Sequence, residues 1–182
     1  MLWIAVALAL AQTGSDPDST LRIDSDRSTQ WESGPWRVFP YPDEGTCDLG
    51  YSAPNGEYVT IAYSARSKQV RLLITNSNAT SKEAGDKVVL NVVFLRGEKM
   101  TDLYENTDFE THVQGDTRVF ISEALALDFF DAFAANDYLV AMTPHNVGVA
   151  ALKLSGSSEA VRQLRTCGLR AAGLNPNDPF LK

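Results

Sequence analysis

The candidates for chemistry in this 182-residue sequence are few. They are Cys47 and Cys167, His112 and His145, and a group of carboxylates at Asp102, Glu105, Asp108, Glu110 and Asp116. A catalytic histidine wants a nucleophile on one side and an orienting carboxylate on the other. His112 has Glu110 and Asp116 near it in sequence, but the chain contains no G-x-S-x-G serine motif. Gly156-Ser157-Ser158 reads better as a turn and helix cap than as a nucleophile. Both histidines are therefore expected in turns or on the surface, and no catalytic residue is assigned. Paired carboxylates could serve glycoside hydrolysis or hold a divalent cation. A solvated strand edge that repels other strands explains the same residues and is the preferred reading. No phosphate-cradling Gly loop, metal-ligand spacing or internal repeat is present, so no cofactor and no metal is expected.

The first residues, Met1 to Ala11, are uninterrupted apolar. The run is too short to cross a bilayer, which takes about 20 residues. Ala9-Leu10-Ala11 fits a small-x-small cleavage site with Gln12 as the new N-terminus, the pattern of a secretory signal at 1–11. The departure is the missing Lys or Arg at its start. An N-terminal core element is the alternative, and the polar residues that follow would continue it poorly. Residues 12–30 hold Asp16, Asp18, Asp24 and Asp26 with few aliphatics, and read as a flexible acidic linker.

In an exported chain two cysteines suggest one disulfide. Closing so long a loop is worth about 5 kcal/mol in the chain-entropy model. Two unpaired core thiols are the alternative. Metal binding by the pair lacks any His or Cys at ligand spacing beside either one. The net charge of −7 argues against nucleic acid and against anionic lipid, since both need clustered Lys and Arg. The 44% hydrophobic and 21% charged content is that of a globular domain with a real core.

The elements that must position these residues are mostly strands. Trp36-Arg37-Val38-Phe39 is a short strand ended by Pro40 and Pro42, and 46–52 is the next. Ala53-Pro54-Asn55-Gly56 is a turn. Residues 58–64 and 69–75 alternate, with Val59, Ile61 and Tyr63, then Val70, Leu72 and Ile74, on one face. Together they make an antiparallel meander with one buried face. Asn76 to Asp86 is a polar loop; its Asn78-Ala79-Thr80 is an N-glycosylation acceptor pattern that matters only in a eukaryotic secretory pathway. The apolar 88–95 reads as a central strand. Weak strands are expected near Leu103-Tyr104 and Phe109 to Val113, and a clearer one at 117–121. Residues 122–136 read as a helix capped by Ser122, with Leu125, Phe129, Ala132 and Phe133 as its buried stripe. A strand at 138–142 and another ending at Leu154 precede a helix at 157–169 capped by Ser157. There Ala160, Val161, Leu164 and Cys167 recur at helical spacing, so Cys167 faces the core. Gly168 and Gly173 fray or end that helix.

Trp36-Arg37-Val38 followed by Cys47, and Ala151-Leu152-Lys153-Leu154-Ser155-Gly156-Ser157 followed by Leu164 and Cys167, resemble small exported proteins of alphaproteobacteria like the invasion-associated locus B family. The resemblance implies a periplasmic or secreted β-rich domain without established catalysis, and carries no catalytic residues with it.

The expected fold is α+β and β-rich: an antiparallel sheet or sandwich at 31–172 with two helices, the C-terminal one stapled to the first hairpin through Cys47 and Cys167, and an irregular tail at 173–182. The expected function is that of an exported, non-enzymatic, envelope-associated or binding protein of unknown ligand. Its partner would be a protein or small molecule in the cell envelope, with no stable membrane span after signal cleavage. The second reading is a periplasmic hydrolase using carboxylates of the 102–116 region.

Overall fold

The computed structural model describes residues 29–52 and 58–178. The expected signal at 1–11, nearly all of the linker, the 53–56 turn, and Phe180 and Leu181 of the tail lie outside them. Among the described residues one antiparallel sheet contains β1 (Trp31–Ser33), β2 (Trp36–Tyr41), β3 (Thr46–Ser52), β4 (Tyr58–Ser64), β5 (Gln69–Asn76), β6 (Lys87–Arg96), β7 (Lys99–Gln114), β8 (Thr117–Ser122), β9 (Tyr138–Met142) and β10 (Gly148–Lys153). Their order across the sheet is β1-β2-β3-β4-β5-β8-β7-β6-β9-β10. The helices are α1 (Phe129–Ala135) and α2 (Ser157–Ala171). This is the β-rich α+β class, realised as one ten-stranded sheet rather than a sandwich.

Cross-strand rows of apolar side chains hold the meander. Val38, Leu49, Ile61 and Leu72 stand opposite one another across β2 to β5, and so do Trp36, Tyr51, Val59 and Ile74. Such pairs on one face are the stabilising unit of an antiparallel sheet. The sheet also curls, because groups far apart in its order meet. Asn76 Nδ2 at the end of β5 donates to the Val149 carbonyl of β10 at 2.8 Å. Trp36 Nε1 of β2 donates to the Ser155 carbonyl just after β10, also at 2.8 Å.

Several sequence expectations are corrected. β2 continues through Pro40 to Tyr41. On its outer side β1 reaches only Val38, so the missing Pro40 N–H leaves no ladder bond unmade there. β6 is paired on both sides but lies near one end of the sheet order, not at its centre. The two weak strands expected in 100–115 are one strand of 16 residues. Its alternation was hard to read because a bulge changes its phase: Leu90 faces Thr107, but Val92 faces Tyr104. Asn106 takes a positive φ of 52° at that point.

The helix expected at 122–136 forms only from Phe129. The backbone before it is spent on the sheet instead. Leu72 N–H donates to Ser122 Oγ, Glu123 N–H to the Asp108 carbonyl, and Leu125 N–H to the Val70 carbonyl. Ser122 therefore ends β8 and is no helix cap. Of the expected stripe, Phe129, Ala132 and Phe133 are buried on α1 and Phe130 joins them, while Leu125 precedes the helix, bridges to Val70 and is only partly buried.

The C-terminal helix runs two residues further than expected, to Ala171. Its N-cap is Gly156, at a φ of 83°, and not Ser157. Ser157 is the first helical residue, and its buried Oγ donates to the Phe133 carbonyl at 2.9 Å. Ser158 Oγ does the same to the Ala134 carbonyl. Two hydroxyls at the start of α2 thus take up carbonyls at the end of α1, which would otherwise lack partners. The end of α2 is a Schellman motif: Gly173, at a φ of 74°, donates to the Arg170 carbonyl and Leu174 to the Leu169 carbonyl.

Gly168 does not fray the helix. It lies buried within α2, and a Cβ there would stand 2.5 Å from Tyr63 Cδ1 of β4. The absent side chain lets the helix lie against the sheet. Gly168→Ala is expected to destabilise by about 1–2 kcal/mol, the overpacking cost exceeding alanine's gain in helix propensity. Urea unfolding measures this, and a stabilised variant would contradict it.

Candidate functional site

Cys47 lies on β3, opposite Pro40 on one side and Tyr63 on the other. Cys167 lies on the buried stripe of α2. The two are joined in a disulfide, with Cα atoms 6.0 Å apart and 120 residues between them in sequence. Both are essentially fully buried. There is no free cysteine among the described residues, so the sequence reading of one staple holds and no thiol nucleophile is available there.

The acidic group does not assemble. Residues directly opposite on paired strands share a face, and the bulge at Asn106 sends the carboxylates to different sides. Asp102 stands opposite the buried Phe94, on the helix side, and accepts from Asn136 Nδ2 at 3.1 Å. Asp108 and Glu110 stand opposite Val89 and Lys87, on the outer side. Glu110 pairs with Lys87 Nζ at 3.1 Å. Glu105 is exposed, and Asp116 lies in the turn before β8. No three His, Cys, Asp or Glu side chains among the described residues gather as a metal-binding group. The perturbed phenol nearby belongs to Tyr104, which donates to Asp128 Oδ1 at 3.3 Å. Its pKa is pushed above the usual tyrosine value, first by burial and then by the Asp128 carboxylate.

The histidines are equally dispersed. His112 Nε2 is 3.8 Å from Glu110 Oε1 on the outer face. His145 is exposed in the turn between β9 and β10. No hydrogen bond among the described residues joins either to a hydroxyl. Ser157, which might be taken for a nucleophile, is committed to the Phe133 carbonyl.

The structure instead forms a cleft that no sequence motif announced. It lies where the curl brings the end of β5 and the 76–86 loop against β6 and the β9–β10 turn, and its volume is about 610 Å³. Leu90, Phe120 and Val149 are among its lining side chains, with Asn78, Lys82 and Lys87 among the polar ones. The parts were visible in the sequence as a polar loop followed by the most apolar strand. Their apposition to residues 143–149 depends on long-range curl, which local patterns do not encode. A smaller recess of about 270 Å³ lies over the meander, with Asp48, Ser64 and Arg71 in its walls.

One core hydroxyl has no use in the fold. Thr111 Oγ1, on β7 directly opposite Phe120, is fully buried without a hydrogen-bond partner. Desolvating an unpaired hydroxyl is unfavourable. Thr111→Val is therefore expected to raise stability by about 1 kcal/mol, read as a higher melting temperature; a loss of similar size would show that the hydroxyl is satisfied.

No helix among the described residues is long and apolar enough to cross a membrane. Comparison with protein families, curated proteins and solved structures finds no match for this chain.

Proposed function

We propose that the chain is an exported binding module of the periplasm or extracellular space, without catalytic chemistry of its own. The cleft of about 610 Å³ beside β5 and β10 carries this reading. Ligand sites are typically concave, largely apolar and supplied with a few polar groups. The residues that could have done chemistry lie elsewhere and apart from one another. The buried disulfide supports an oxidising compartment, where such bonds persist. The apolar run at 1–11 supports export, and so does the resemblance of the 36–47 and 151–167 segments to the invasion-associated locus B family.

The test is a panel of generic ester, peptide and glycan substrates offered to the disulfide-intact protein. No turnover above background is expected. Turnover abolished by His112→Ala or His145→Ala, or by joint replacement of Asp108 and Glu110, would overturn the reading in favour of a hydrolase.

A further inference from the structure

We infer that the cleft takes a small amphipathic anion, a single acyl chain ending in a carboxylate, with the tail on the apolar wall and the head at Lys82. This rests on the binding-module reading above. The wall is supplied by Val88, Leu90, Phe120, Val147 and Val149. Phe120 and Leu90 belong to the buried core, so the floor of the cleft is continuous with the interior of the fold.

The charge distribution selects the head group. The sequence has 23 Asp and Glu against 16 Lys and Arg. Among the residues lining this cleft the balance is reversed: Lys82 and Lys87 are present, and no carboxylate is. Lys87 is shared with Glu110, its partner at 3.1 Å, in a solvent-exposed pair that holds it only weakly. Lys82 is half-buried and better placed. The loop that carries it is anchored before any ligand arrives. Arg118 of β8 donates through Nε to the Lys82 carbonyl and through Nη2 to the Thr80 carbonyl. A lysine on an anchored backbone beside an apolar wall favours a ligand with one negative end and one apolar end. A cation would be repelled, and a neutral chain would gain the wall alone.

The test is titration calorimetry of the disulfide-intact protein with dodecanoate and dodecyltrimethylammonium, each below its micelle concentration, and with dodecanol below its solubility limit. Dodecanoate is expected to bind at one site per chain, about tenfold more tightly than dodecanol, a difference of about 1.4 kcal/mol, and dodecyltrimethylammonium more weakly still. Lys82→Glu should remove that tenfold preference and leave dodecanol within about twofold. Val147→Asp should weaken both chains; its side chain is 61% exposed, so the fold tolerates the change. Equal binding of dodecanoate and dodecanol, or a preference for the cation, would overturn the anion assignment and leave the binding module standing. Binding of none of the three would overturn the inference as a whole. The wider reading fails separately, by the catalytic turnover described above.

Discussion

Replacing Cys47 and Cys167 together by alanine is expected to lower the unfolding free energy by about 5 kcal/mol. The figure is the chain-entropy value for opening so long a loop. It is comparable with the whole stability of many domains, about 5–15 kcal/mol, so the variant should be partly unfolded at physiological temperature. The staple matters because of what it joins. Cys47 belongs to the meander, whose rows of side chains pair locally, whereas α2 is the last element and arrives from across the curl. Without the bond, α2 is held by its buried stripe, the close approach of Gly168 to Tyr63, and the two serine hydroxyls on α1. Guanidinium unfolding of the oxidised protein and the double variant measures the difference. A loss below about 1 kcal/mol would mean that the loop is constrained by other contacts.

Phe133→Ala is expected to cost about 4 kcal/mol, within the range for truncating a fully buried aromatic. Phe133 is wholly buried, and its ring meets Trp36 edge-on at 5.6 Å, Phe129 at 6.0 Å and Phe94 at 6.4 Å. These neighbours come from β2, α1 and β6, so one ring joins both halves of the curled sheet. The helix carrying it has seven residues, too few to persist by backbone bonding alone. Its order comes from packing, and its end in turn supplies the carbonyl that receives Ser157. A cavity at 133 should therefore loosen the start of α2 as well, seen as faster amide exchange there. Met100→Ala is the control: at 61% exposure it should change stability by less than about 0.5 kcal/mol. Similar losses in the two variants would remove Phe133 from the centre of the core.

The parts of the fold that were legible in the sequence are those whose side-chain period matches one buried face. Val59, Ile61 and Tyr63 alternate, as do Val70, Leu72 and Ile74, and both strands form as read. Ala160, Val161, Leu164 and Cys167 keep helical spacing, which placed Cys167 inward and left Cys47 as its only possible partner. The misreadings share a cause, since each residue concerned answers to a distant partner. Ser122 looked like a cap because such residues satisfy helix N–H groups, yet its oxygen receives the Leu72 N–H from another strand. Ser157 looked like a cap and is a tether to α1. The phase change at Asn106 hid the length of β7 and also divided the carboxylates between two faces. The cleft was the least legible feature, because Lys82, Phe120 and Val149 come from three segments that only the curl brings together.

Under the proposed function the domain is exported, and the Cys47–Cys167 bond closes it. Intact-mass spectrometry of the protein recovered from the producing cells, with and without reduction before alkylation, tests this most directly. The expected result is a chain beginning at Gln12 with no alkylatable thiol until reductant is added, and two alkylatable thiols, Cys47 and Cys167, afterwards. A full-length chain recovered with both thiols open to alkylation in native material would contradict it.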